Sequence, residues 1–216
     1  LPLTSTQPDL HSGAGRGFLQ NNSDHDFWSF EAQAGDKLIL AAETPGNPAN
    51  SGLYYTLYNP AGTQLWADYA ANNGVLQSPP LNLTTSGVFT VRITYNHGYY
   101  AEHRIRVSLY RNGLPVETEA NNSLAAANPL AFTTNGNNRA AVIAGYTQLP
   151  SDLDYFNLGV IEAGQTVFLG TRQPATSPLA PVVSLYNAAN IYQNEAGSGR
   201  PSDGVAEVQI EQTGTY

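Results

Sequence analysis

The chain has 216 residues, of which 12% are charged, a formal charge of −8, a pI near 4.8, and neither cysteine nor methionine. The length suits one large domain or two of about 100 residues. The acidic balance repels a phosphate backbone, and eight Arg with the single Lys37 form no basic block, which argues against nucleic acid and anionic membrane as partners. Without cysteine there is no disulfide, thiolate metal site or Cys nucleophile, so stability must come from the core or from bound ions. No apolar run approaches the roughly 20 residues of a membrane span, so no membrane insertion is expected, and no signal-peptide pattern is visible. Lacking an initiating Met, the chain reads as a processed or excised piece of something longer.

In chain order, Gly13-Ala-Gly-Arg-Gly17 reads as a flexible loop, because it lacks the spacing and strand-to-helix setting of a dinucleotide fold. Ser23-Asp-His-Asp26 then precedes Phe27-Trp28 and a short alternating run ending in Ala34-Gly35. Strands are expected over Lys37–Ala41, Tyr54–Tyr58, Val88–Tyr95 and His103–Tyr110, which are β-branched or aromatic and partly alternating. Asn59-Pro-Ala-Gly62 and Asn96-His-Gly98 punctuate them as turns. In Phe89, Val91, Ile93 and Tyr95 every second residue is apolar, the mark of one buried sheet face. Ser123–Ala127 has some helical character but is too short to count. Strand signals resume over Gln165–Gly170, Pro181–Tyr186 and Ala206–Ile210. Many short strands at turn-separated intervals argue for antiparallel sandwiches.

The chain also repeats itself. Ser151-Asp-Leu-Asp-Tyr-Phe156 restates the earlier acidic pair and paired aromatics. Asp24 matches Asp152, Gly35 matches Gly164, Leu57-Tyr58-Asn59 matches Leu185-Tyr186-Asn187 and Gly87 matches Gly214, at offsets of 127 to 129 residues. The expected fold is therefore all-β: two tandem jelly-roll-like antiparallel β-sandwiches, over 1–112 and 130–216, joined by a linker over 113–129. The second copy stops at Tyr216, which matches Phe89, so it is expected to be truncated at its C-terminal strands. A neighbouring chain, or residues beyond this sequence, would then complete it.

Glu117-Thr-Glu-Ala-Asn-Asn-Ser123, Asn128-Pro-Leu130, Asp152-Leu-Asp-Tyr-Phe156, Ala163-Gly164, Leu185-Tyr186-Asn187 and Thr213-Gly-Thr-Tyr216 follow in a fixed order. With these words the chain resembles the bacterial pre-peptidase C-terminal domain family, which includes the collagen-binding domains of clostridial collagenases. The resemblance covers nearly the whole chain, in two units. It implies non-catalytic extracellular or cell-surface modules, secreted as spacers, stabilisers or adhesive repeats of a larger protein.

It also implies calcium. Residue by residue, the linker supplies Glu117, Glu119, Asn121 and Asn122, and the acidic word downstream supplies Asp154 with Asp152 beside it. Asn122 stands where the collagen-binding members tend to carry Asp, which removes one charge from the site. Ca²⁺ takes six to eight oxygens, and clustered carboxylates need a cation to offset their repulsion. Asp24 and Asp26 form at most a partial metal site in the first copy, because no linker precedes them.

Signals for catalysis are weak. His11, His25, His97 and His103 all fall in the first copy, and no metalloprotease, hydrolase or phosphate-loop motif occurs. No enzyme activity is expected. A second class of function rests on the aromatic residues: Tyr55, Trp66, Tyr69, Tyr99 and Tyr100 are candidates for stacking on a polysaccharide or gripping a fibrous protein such as collagen. A surface array assembled by strand exchange is the third reading.

Overall fold

The computed structural model describes residues 1–7, 9–46, 52–70, 74–147, 152–173, 179, 181–197 and 205–216. Ser151, which opens the second acidic word, lies outside the described residues. The chain divides into two compact units, Leu1–Leu114 and Pro115–Tyr216. Residues 115–129, read from sequence as a linker, fall within the second unit. Both units are all-β, and their sheets are almost entirely antiparallel. The weak helical signal near Ser123 becomes a 3₁₀ turn at Leu124–Ala126.

The first unit contains β1 (Thr4–Gln7), β2 (Leu10–Phe18), β3 (His25–Ala32), β4 (Lys37–Glu43), β5 (Gly52–Tyr58), β6 (Gln64–Tyr69), β7 (Val75–Gln77), β8 (Leu81–Asn82), β9 (Gly87–His97) and β10 (Glu102–Tyr110). One sheet runs β1-β2-β10-β4-β7, with β8 also paired to β4; the other runs β3-β9-β5-β6. Alternation decides which side chains meet between them. Ile105, Val107 and Leu109 of β10 and Leu38 and Leu40 of β4 share a core with Phe89, Val91 and Ile93 of β9 and Leu53, Tyr55 and Leu57 of β5. Phe30 stacks on Phe89 with ring centroids 6.0 Å apart. Each such side chain contributes about 1.5–3 kcal/mol on full burial.

Gly13 to Gly17 is the main departure from expectation, since these residues lie inside the nine-residue strand β2, paired along their length with β10. Glycine weakens strand signals in sequence. Here it answers a steric demand. A Cβ on Gly13 would lie 2.5 Å from the Pro2 carbonyl oxygen, one on Gly15 2.7 Å from the Trp28 ring, and one on Gly17 2.5 Å from the His103 ring.

The second unit contains β11 (Asn128–Pro129), β12 (Thr133–Asn135), β13 (Asn138–Ala140), β14 (Phe156–Asn157), β15 (Val160–Ile161), β16 (Thr166–Gly170), β17 (Val182–Tyr186), β18 (Tyr192–Gly197), β19 (Val205–Gln209) and β20 (Gly214–Thr215). Its core gathers Ile161, Leu185, Val208 and Ile210. The described strands pair two by two.

The two units repeat each other down to single hydrogen bonds. Tyr58 faces Gln64 as Tyr186 faces Tyr192, with a register shift at the same place in each hairpin. Asn59 Oδ1 accepts from the N–H groups of Ala61 and Thr63, and Asn187 Oδ1 from those of Ala189 and Ile191. Such side-chain turns hold a tight loop without glycine at every position. Gly35 and Gly164, at φ +93° and +88°, each donate their N–H to a carbonyl at 2.8 Å, those of Leu83 and Ile210. The left-handed backbone there explains why both copies carry Ala-Gly.

Both tryptophans, Trp28 and Trp66, lie in the first unit, so tryptophan fluorescence in a urea titration reports its unfolding. Phe89→Ala is expected to lower that stability by about 3–5 kcal/mol. Phe27→Ala, at a ring 62% exposed, is expected to stay within about 0.5 kcal/mol of wild type.

Candidate metal centre

The acidic cluster is assembled within the second unit by the segment 115–129 folding back on later residues. Val116 bridges Ala144, and the Glu117 N–H donates to the Ala144 carbonyl at 3.0 Å. The amide side chain of Asn128 clasps Thr118 from both sides: its Oδ1 accepts the Thr118 N–H at 2.6 Å, and its Nδ2 donates to the Thr118 carbonyl at 3.0 Å. The Tyr155 N–H donates to the Asn121 carbonyl at 3.1 Å, which draws Asp154 alongside. A short parallel pairing of β11 with β14 continues the contact.

The result brings together carboxylate oxygens of Glu117, Glu119 and Asp154, all within 4.8 Å of one another. Oxygens on opposite sides of a Ca²⁺ ion are about 4.8 Å apart, so the spacing is that of a shared cation. Glu117 is 2% exposed; its carboxylate accepts the Tyr146 N–H and, at 3.1 Å, the Asn121 amide. Gly145 leaves room for it, since a Cβ there would sit 3.4 Å from both carboxylate oxygens. Burial, helped by the charges of Asp154 and Glu119, pushes Glu117 up to about 7. Burial, with Asp152 and Glu119, pushes Asp154 up to about 6.

Three oxygens of the cluster are buried without a hydrogen-bond partner: Glu119 Oε1, Asp154 Oδ1 and Asn121 Oδ1. Asn121 is completely buried. An orphaned buried acceptor costs about 1–3 kcal/mol, and a cation satisfies several at once. Of the other residues expected here, Asn122 Oδ1 accepts the Leu153 N–H at 3.1 Å and so shapes the loop. Asp152 lies outside the three-carboxylate group and acts on Asp154 through its charge. Sequence reasoning missed Gly145 and Tyr146, which carry no motif.

In the first unit the matching acids are engaged differently. Asp24 Oδ2 accepts the Gln20 N–H at 2.8 Å in a turn. Asp26 Oδ2 lies 3.5 Å from Nε2 of His103, to which Trp28 Nε1–H also donates at 3.3 Å. The partial site expected at Asp24 and Asp26 is thus a turn and a carboxylate–imidazole contact. His103 is wholly buried, and burial, offset in part by Asp26, Glu102 and Asp24, lowers its pKa from 6.5.

The aromatic candidates separate by exposure. Tyr55 is fully buried in the core. Tyr99 is 8% exposed and donates its hydroxyl to the Pro45 carbonyl at 2.5 Å. Neither presents a ring to a ligand. Trp66 packs half-buried against the core, while Tyr69 and Tyr100 are exposed. Strict alternation around Tyr55 would have turned Tyr54 and Tyr58 outward instead, and that signal was present in the sequence.

No family model matches the chain, and no curated protein matches it. Among solved structures it is similar to PliG, a periplasmic lysozyme inhibitor of g-type lysozyme from Aeromonas hydrophila. The identity is 17%, the TM-score 0.33, and the match covers 49% of this chain and 90% of that one. A likeness this slight bears on neither fold nor function. Among the described residues no helix is long and apolar enough to cross a membrane.

A neutral buried imidazole has a defined pH signature. With the folded pKa below the unfolded value of 6.5, the unfolded chain binds more protons as the pH falls, so stability present above that value is lost below it. The tryptophan-reported urea midpoint is expected to fall between about pH 7.5 and about pH 5.5. His103→Gln should flatten that fall.

Proposed function

We propose that the chain is a non-catalytic extracellular module, a tandem of pre-peptidase C-terminal type domains stabilised by calcium in the second unit. It would serve as a spacer, stabiliser or adhesive element of a larger secreted or surface protein. The observation that carries the reading is the cluster of Glu117, Glu119 and Asp154 with the wholly buried, unpartnered Asn121 Oδ1. Glu117, Glu119 and Asp154 would hold the ion through carboxylates and Asn121 through its carbonyl. All are hard oxygen donors of the kind Ca²⁺ takes. Without a cation, folding carries the repulsion of three neighbouring carboxylates; with one, the same contacts tie the segment around Glu117 to the loop before Phe156. The order of the sequence words supports the family assignment, and the repeated turn hydrogen bonds support a tandem origin.

Calorimetry with calcium and with EDTA tests this. For a dissociation constant of about 10⁻⁴ to 10⁻³ M, typical of extracellular modules, about 1 mM calcium stabilises the second unit by about 0.4–1.4 kcal/mol. Its melting transition is expected to rise by a few degrees, while Glu119→Ala and Asp154→Ala abolish the rise and Asp24→Ala leaves it intact. An unchanged transition in the wild-type protein would reduce the cluster to a hydrogen-bonded turn.

A further inference from the structure

The outer face of the sheet β3-β9-β5-β6 has a composition that its core-facing side does not explain. The registers place Phe27, Arg92, Thr56 and Ala67 side by side in one row across the four strands. The adjacent row is His25, Thr94, Tyr54 and Tyr69. On the far side of the first row, Tyr58 lies next to Thr90. Arg92 is therefore the centre of a field of rings. Its guanidinium carbon sits 5.5 Å from the Tyr58 ring centroid. Phe27 is 62% and Tyr69 45% exposed, and Tyr54, Tyr58 and Thr94 are half-exposed.

On the other sheet Arg16 and Arg104 are paired with Glu102 and Glu43, and Arg111 with Asp36. Arg106 of that sheet, like Arg92, has no ion pair among the described residues, but of the two it is Arg92 that lies over a ring. Arg92 has no carboxylate within ion-pair distance among the described residues, and its Nε is buried, so a ligand would meet the guanidinium at its terminal nitrogens. A guanidinium with no carboxylate partner, framed by aromatic rings, is a site for an anion carried on a flat apolar body, held by local contacts against the chain's overall charge of −8. From β3 to β6 the face spans three strand spacings, about 14 Å, which suits an extended chain better than a single small molecule. Hydroxyls of Ser29, Thr90, Thr94 and the tyrosines stand around the rings, whereas the centre of a protein–protein interface is more uniformly apolar.

We propose that this face binds an acidic polysaccharide, with Arg92 pairing a uronate carboxylate and Phe27, Tyr54 and Tyr69 stacking on sugar rings. The proposal deepens the extracellular-module reading and takes its setting from it. Binding draws on Arg92 in two ways, as a bidentate donor to the carboxylate and as a cation already held over Tyr58.

Affinity electrophoresis in gels containing polygalacturonate, run in EDTA so that neither cation bridging nor the acidic cluster contributes, tests it. The fully methyl-esterified polymer has the same backbone without the charge. Retardation is expected with polygalacturonate and about tenfold weaker with the ester, the loss of roughly one charge-assisted contact. Arg92→Gln should weaken retention by polygalacturonate about tenfold. Phe27→Ala and Tyr69→Ala should weaken retention by both polymers. Arg104→Gln, on the other sheet, should have no effect. Equal retention by the two polymers, no retention by either, or an equal loss from Arg104→Gln would overturn the proposal. So would binding to gelatin that Arg92→Gln abolishes while neither polymer binds. Arg92→Gln leaves the calcium response of the second unit unchanged, so failure here and failure of the calcium reading are separate results.

Discussion

Complete backbone pairing of two central strands, β9 and β10, is the constraint on which the first unit depends. Each is hydrogen-bonded on both edges, β9 between β3 and β5 and β10 between β2 and β4. A buried N–H or carbonyl left unpaired costs as much as a lost hydrogen bond, so a strand whose backbone lies in the middle of a sheet must be satisfied along both edges. That requirement fixes register, and register fixes faces, because a one-residue shift would exchange the inner and outer side chains. The core of Phe89, Val91 and Ile93 and the surface field around Arg92 are two readings of the same strand.

The second unit applies the same turns and hairpins to a smaller core and adds a polar device. Glu117 is held in a buried place by Tyr146, Asn121 and the space over Gly145. Among the described residues the first unit has no equivalent, because Asp26 faces an imidazole there instead of two further carboxylates. The repeated acidic word thus sits in two different surroundings, according to what the rest of each unit brings against it. In the first unit the carboxylate meets one neutral, buried imidazole, and in the second it adds to a group of three acids.

Much of the architecture was legible in the sequence where side chains carry the pattern. The alternation from Phe89 to Tyr95, the Asn59 and Asn187 turns and the Ala-Gly corners all correspond to observed elements. Strand β2 was not legible, because its inner positions are glycine and alternation needs side chains to show itself. Alternation does point Tyr55 inward, since Leu53 and Leu57 share its phase while Thr56 marks the other, and the pairing of β5 with β6 and β9 puts that phase in the core. At the acidic cluster the words named Glu117, Glu119 and Asp154. The partners that bury Glu117 lie more than 25 residues away, at Gly145 and Tyr146, and no local spacing announces them.

The glycines of β2 carry a mechanical consequence. Because they recur at every second position, moving the strand along its neighbour by two residues would set glycine on glycine, and the middle of its inner face would be indifferent to the move, although the outer face would lose the Arg16–Glu102 pair. Its ends are not. Slid one way, His11 would enter the seat of Gly13, where the Pro2 carbonyl leaves no space for a Cβ; slid the other way, Leu19 would enter the seat of Gly17, against the His103 ring. The strand is held like a bolt with a smooth shank and a stop at each end. A side chain shortened to glycine at one stop would remove the steric block in that direction alone, although the interior of the strand had not been touched.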